Sequence, residues 1–305
     1  MLEQEQVFVE PAPTFPGLSG LQGMVNGVRR FAKRRPVGAV CGLVIVALLL
    51  IATFAPVVAR QDPLITHTAI KLQPPSASHW FGTDDLGRDV FSRVVYGARV
   101  SLGIGFSGML VAVAFGVTVA VVSGYFGGTT DIVIQRIVDA VQAIPGLIVV
   151  LTIVTILKPS IPVLFMALGI QAAFGSSRLI RSQVFSVKNM PFVDASRSMG
   201  ASHMRIMWRA ILPNVMSLAI ITGSFALVGI ILAEATLSFL GQGVQPPNPS
   251  WGQMLSGSAR PFMVRAPWMG LGPGIVLTIT LMVFSLFGDT LRDELDPRLR
   301  GSKNA

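Results

Sequence analysis

Charged residues fall in clusters along this chain, and long apolar runs separate them. No charge occurs between Arg35 and Arg60, Arg99 and Asp131, Asp139 and Lys158, Lys158 and Arg178, Arg209 and Glu234, or Arg265 and Asp289. Each interval holds 18 or more residues, close to the ~20 that a helix needs to cross a ~30 Å hydrocarbon layer. Strands of a closed barrel would alternate apolar and polar positions, and these runs do not. The pattern predicts an all-α integral membrane protein. Its six transmembrane helices lie near Val37–Val58, Ser101–Gly124, Ile132–Leu157, Ile161–Ser177, Val215–Leu240 and Leu271–Gly288. The fourth is the shortest and the third the least clean. The third carries Arg136 and Asp139 in its first turns, one helical turn apart, which reads as a mutual pair near the membrane surface.

The layout divides the chain into an N-terminal tail (1–36), a first helix (37–58), an outer segment (59–98), a core membrane domain (99–288) and a C-terminal tail (289–305). The core contains a polar loop, 178–214, and an outer loop, 241–270. Orientation follows from Lys and Arg, which favour the cytoplasmic side. With the N-terminus inside, the cytoplasmic segments 1–36, 125–131, 178–214 and 289–305 hold 15 of the 24 basic residues. Both termini are therefore expected inside. Composition agrees with the class: 51% of residues are apolar and 13% charged, against roughly 25% charged in soluble domains. The net charge of +9 reads as topology signal and attraction to anionic lipid. Nucleic acid is not an expected partner, because the basic residues edge membrane spans and line no soluble face with aromatics.

The single cysteine, Cys41, lies in the first span, so no intrachain disulfide can form. Arg29, Arg30, Lys33, Arg34 and Arg35 precede that span, as the basic region of a signal peptide would. The apolar run is longer than a usual 7–15-residue signal core and starts far from the N-terminus, so it reads as an uncleaved anchor. Leu18, Leu21, Val25, Val28 and Phe31 have helical spacing that suits a surface-lying amphipathic helix, while Gly20, Gly23 and Gly27 suit a plain linker equally. In the first outer segment, Gly82-Thr83-Asp84 reads as a turn, with Asp84 or Asp85 at the start of a short helix. Val90, Val94 and Val95 would form an interfacial face leading into the second span. The whole segment reads as a solvated loop.

Enzyme chemistry finds little support. His67, His79 and His203 are far apart, and no H-E-x-x-H, C-x-x-C, G-x-S-x-G or phosphate-loop pattern occurs. A membrane hydrolase would need a convergent nucleophile and base, and a stand-alone secondary transporter usually shows repeated halves. Neither is visible.

The polar loop is the exception to the membrane pattern. Pro191 suits the first turn of a helix, and Asp194 complements its dipole. Ala195 and Met199 share a face, and Gly200 ends the helix and allows close approach of a partner's backbone. Ser202 would cap a second helix, Met204–Leu212, with Arg205 and Arg209 on one side. Met204, Met207, Trp208 and Ile211 would supply apolar contact, and Pro213 would mark the entry to the fifth span. A loop that merely faced solvent would not keep such faces exposed.

The sequence Asp194-Ala195-Ser196, then Gly200, then Leu212-Pro213 resembles the E-A-A-x-x-x-G … I-x-L-P loop of binding-protein-dependent ABC importer permeases. Asp and Ser replace the usual Glu and second Ala, and Ala210 stands where Ile is usual. Phe81–Leu102, Gly124–Gly128, Ala143–Leu151, Glu234–Leu255 and Gly288–Arg300 are similar to the C-type permease subunit of oligopeptide, dipeptide and nickel importers. The resemblance covers roughly residues 37–301.

It implies a type I importer permease in the bacterial inner membrane. The implied partners are a second homologous permease, two ATPase subunits or one fused ATPase, and an extracytoplasmic substrate-binding protein. This chain would bind no cofactor, ATP and magnesium being held by the ATPases. The resemblance also assigns Asp194, Ala195, Ser196, Met199 and Gly200 to ATPase docking. Arg205 and Arg209 are either their salt-bridging neighbours or ordinary cytoplasmic anchors. Glu234, with Ser238, either lines the substrate path or makes a hydrogen bond that fixes packing between the two permeases. Peptide is the expected cargo, with nickel chelates or other small solutes as alternatives.

Overall fold

The computed structural model describes residues 32, 35–256, 260–262 and 264–295. The possible amphipathic helix before residue 32 and the last part of the C-terminal tail lie outside the described residues. Ten helices of at least one α turn occur among those described. They are α1 (Pro36–Thr53), α2 (Ala55–Val58), α3 (Val90–Phe126), α4 (Gly128–Gln142), α5 (Gly146–Leu157) and α6 (Ile161–Lys188), followed by α7 (Pro191–Ser198), α8 (His203–Phe239), α9 (Trp251–Met254) and α10 (Trp268–Leu295). Two short 3₁₀ turns lie outside them, and the described residues form no strand beyond one isolated bridge, Thr83 to Asp89.

Five helices, α1, α3, α6, α8 and α10, are long and apolar enough to cross a membrane, and α4 with α5 can supply a sixth crossing as a bent pair. The expected third span is therefore not one straight rod. Its halves meet at 83° around Ala143–Pro145. Pro145 has no amide hydrogen and disfavours helical geometry at Ile144. The first half is also amphipathic, with Asp131, Arg136 and Asp139 on it. Arg136 and Asp139 do pair, at 4.0 Å, but Asp139 also meets Arg178 of α6.

Four helices run well past their expected ends. Helix α3 begins at Val90 rather than Ser101, α6 continues to Lys188 rather than Ser177, α8 begins at His203 rather than Val215, and α10 continues to Leu295 rather than Gly288. Charge limits how much of a helix sits in lipid but does not end it, so apolar windows report only the embedded part. The separate helix expected at Met204–Leu212 is thus the first part of α8. Pro213 lies inside that rod, directly after a π turn at Met207–Ile211. The wider turn, closed by Leu212 N–H donating to Met207 O, relieves the crowding that a proline ring imposes on the carbonyl four residues back.

Helix α3 is the centre of the molecule. Small residues let α6 approach it closely: a Cβ on Gly169 would come within 2.6 Å of Gly108 O, and one on Gly116 within 2.8 Å of Ser176 Oγ. Apolar packing then forms three groups along the α3 axis. The outer group gathers α1, α9 and α10, the middle one α5 and α6, and the inner one the start of α8.

Candidate functional site: an exposed hook on one face and a buried carboxylate near the other

Helix α7 is short and stands out from the bundle. Val193 is its only buried residue, and it plugs into the inner apolar group beside Val187, Ile206 and Ile211. Pro191 occupies the first turn, where its missing amide costs nothing. At the other end the chain closes a Schellman motif: Gly200 N–H donates to Arg197 O and Ala201 N–H to Ser196 O. Gly200 has φ +75°, and no atom lies within 4 Å of where its Cβ would be. Ser202 Oγ then accepts from Arg205 N–H and starts α8.

The expected surface residues are brought together on this hook. Asp194, Ala195, Met199, Gly200, Arg205 and Arg209 are exposed, and Ser196 is half-buried with its hydroxyl bonded to Phe192 O. Met199 is 80% exposed and Trp208 62%, a large apolar area to leave uncovered on an element this small. Asp194 pairs with Arg197 at 3.0 Å. Arg205 and Arg209 form no ion pair with a described residue. The four apolar residues expected to make contact divide in two. Met204 and Trp208 face outward, whereas Met207 and Ile211 are buried within the chain.

What holds the hook was not visible in the sequence. Tyr125, in the last turn of α3, hydrogen-bonds His203 Nδ1 at 2.8 Å, and the two rings pack edge to face. Lys188 Nζ donates to Gly124 O at 2.8 Å, a cation at a helix C-terminus where the dipole favours it. Arg181 holds Asp131, which also accepts from Ser123. These partners lie 8 to 78 residues apart in sequence, so no local pattern announces them.

The second centre is Glu234. It was expected on the substrate path or in a bond between two permeases; within this chain it is enclosed between α3, α8 and α9. The side chain is 0% exposed within this chain and accepts three hydrogen bonds. The donors are Ser238 Oγ at 2.7 Å, Ser250 Oγ at 2.8 Å and Ser101 Oγ at 3.4 Å. Ser238 lies one turn on in α8, Ser101 belongs to α3, and Ser250 caps α9. Ser238 Oγ also accepts from Val244 N–H, and Ser101 Oγ from Trp251 N–H. Trp251, fully buried, donates its indole N–H to Val94 O at 3.0 Å. The carboxylate is therefore a clamp that fastens the outer loop onto α3 and α8. A buried acid is tolerable when three hydroxyls solvate it.

The first outer segment divides in two: residues 61–80 are mostly exposed, as a solvated loop would be, whereas residues 81–98 are mostly buried. Asp89, not Asp84 or Asp85, caps α3, accepting from Ser92 N–H at 2.8 Å and meeting His79 Nδ1 at 3.0 Å. Asp84 instead closes the turn that follows it, accepting from the amides of Leu86 and Arg88 at 2.9 Å each and from Arg88 Nε at 2.7 Å. Arg93 crosses from α3 to the outer loop, donating to Gln253 Oε1 and Pro63 O. Val90, Val94 and Val95 are buried rather than interfacial. His67 and His79 line one open cavity of about 510 Å³, but no three metal-ligating side chains converge among the described residues.

Comparison with known proteins places this architecture. Residues 113–301 match the family described as binding-protein-dependent transport system inner membrane component. The dipeptide transport system permease protein DppC of Alkalihalophilus pseudofirmus is 41% identical over 263 residues, 86% of each chain. The oligopeptide transport system permease protein OppC of Bacillus subtilis is 39% identical, also over 86% of each chain. DppC of Haemophilus influenzae is 38% identical over 86% of this chain and 91% of its own. Among solved structures, an inward-facing MetNI methionine ABC transporter covers 67% of this chain and 96% of the matched chain, with a TM-score of 0.50 at 18% identity; that likeness concerns the fold. An all-α membrane bundle with a projecting hook, matched over most of its length by permeases, belongs to the inner membrane components of binding-protein-dependent transport systems.

Proposed function

We propose that this chain is one of two permease halves of an ATP-driven importer of peptides, and that α7 with Gly200 is the part its ATPase partner grips. The observation that carries this is the exposure of Asp194, Ala195, Met199 and Gly200 on and just after a short helix whose one buried residue is Val193. An element tied to α6 and α8 at its two ends can pass a push to both. The dipeptide and oligopeptide permeases among its relatives support the peptide cargo. The chain carries no phosphate loop, so ATP and magnesium belong to the ATPases. A second permease completes the path, and a substrate-binding protein docks on the outer segments. The hook and both termini face the cytoplasm, in keeping with the distribution of Lys and Arg. ATP-driven closure of the ATPases then switches the paired permeases between inward- and outward-facing states.

The test is purification through a tag on this chain, followed by reconstitution in proteoliposomes. Two ATPase subunits and a second permease should accompany it, and uptake of a labelled dipeptide should need ATP and the binding protein. Uptake by this chain alone, driven by an ion gradient, would overturn the assignment.

A further inference from the structure

A groove of about 410 Å³ runs along the outside of the bundle between α3 and the first turns of α8. Its wall on α8 is Met204, Met207, Trp208, Leu212 and Met216, four of them at a four-residue interval, and its wall on α3 runs from Val113 to Val122. Thr118 is the one hydroxyl side chain on it, and that hydroxyl is already spent on Ala114 O. From Met204 to Met216 the helix rises about 18 Å, close to the ~15 Å depth of one leaflet's hydrocarbon. A second groove, of about 300 Å³, lies across the Thr118–Val122 ridge against Ile137 and Phe174. Two apolar grooves that share Thr118 and Val122 suit the two chains of one diacyl lipid.

The mouth of the first groove supplies the other half of the match. Trp208, exposed one turn along from Met204, is an indole of the kind that favours the membrane interface. Arg205 and Arg209 form the adjoining stripe of α8, both exposed and neither paired with a described acid. Arginine at this depth seeks phosphate oxygens while its stem lies along apolar surface. We infer that this groove is a binding site for an anionic phospholipid of the inner leaflet, its chains on the two channels and its headgroup held by Arg205 and Arg209. The assignment rests on the cytoplasmic placement of the hook proposed above. It gives the transporter a lipid ligand beside the element that receives the ATPase stroke.

Native mass spectrometry of the whole purified transporter tests it. The delipidated complex is incubated with phosphatidylglycerol or with phosphatidylcholine of the same acyl chains. Phosphatidylglycerol should be retained on this subunit in roughly 10- to 30-fold preference, the difference that two interfacial arginines confer. Arg205→Gln with Arg209→Gln should erase the preference, and Ala114→Trp, which fills the groove, should reduce retention of both lipids. Arg60→Gln, on the outer segment, should change neither. Equal retention of the two lipids by the unaltered complex, or undiminished preference in the double variant, would overturn the site. So would a disulfide trapped between Ala114→Cys and a helix of the second permease, which would make that helix the occupant. The same spectra report the ATPase subunits. In the unaltered complex, no preference for phosphatidylglycerol with the ATPases still attached refutes only the lipid site, whereas absent ATPases refute the proposed function.

Discussion

Gly200 and Glu234 make opposite demands on their surroundings, and each can be tested alone. At Gly200 the left-handed backbone costs a side-chain residue about 1–2 kcal/mol, but the space beyond it is empty. Gly200→Ala should therefore retain most ATPase copurification, whereas Gly200→Arg should abolish it while the chain still inserts, because its bulk enters the docking face. Glu234 is closed in on all sides. Glu234→Ala strands the hydroxyls of Ser101, Ser238 and Ser250 and should lower stability by about 3 kcal/mol, read as a drop in thermal midpoint. Glu234→Gln, which still accepts, should lose less. Asp85 carries the pH dependence that lies outside the spans. Burial first, and the Asp84 carboxylate second, hold its carboxyl above the ordinary range. Folding thus strengthens its hold on a proton, so this group's contribution worsens as pH rises through that raised range and improves as pH falls. Asp85→Asn should raise the thermal midpoint near neutral pH, with the gain shrinking towards about pH 4. The sequence exposed Glu234 as an anomaly, one acid in an apolar run. Its role stayed hidden because its solvating serines lie 4, 16 and 133 residues away.

At the scale of elements, apolar spacing and punctuation carried most of the information. The hook's helix, its proline start, its glycine stop and the Ser202 cap were all legible, since each depends on residues within a turn of one another. The bend between α4 and α5 was not, although Pro145 marked it, because hydropathy averaged over a window cannot register direction. Spin labels at Ile132 and Ile156 measure it. A straight helix would hold those positions about 36 Å apart, and a right-angled pair about 25 Å; the shorter distance is expected. The cap of α3 fell on Asp89 rather than Asp84 or Asp85 for a tertiary reason. Arg88 and Arg93 draw Asp84 into their own network, leaving Asp89 to the helix end.

Across the whole molecule the class, the order of spans and the projecting loop followed from where charge is absent, which is a property of the bilayer more than of the fold. How the spans nest depended on glycine contacts such as Gly108 with Gly169 that composition alone does not locate. Orientation is open to direct measurement. Because the one natural thiol, Cys41, is buried, replacing it with alanine leaves a clean background for single cysteines. Ser202→Cys should react with an impermeant maleimide only in inverted vesicles, and Thr68→Cys only from outside intact cells. The reverse pattern would turn the molecule over. Helix α8 gives these two faces a common axle. Its 37 residues span about 54 Å, with Ser202 and Trp208 at one end and the serine-solvated Glu234, carrying Trp251 and its loop, towards the other. A tilt imposed at the Ser202 end would therefore reach the opposite end as a displacement of that loop. On the proposed function, a grip on α7 and the far loop are joined by one continuous shaft.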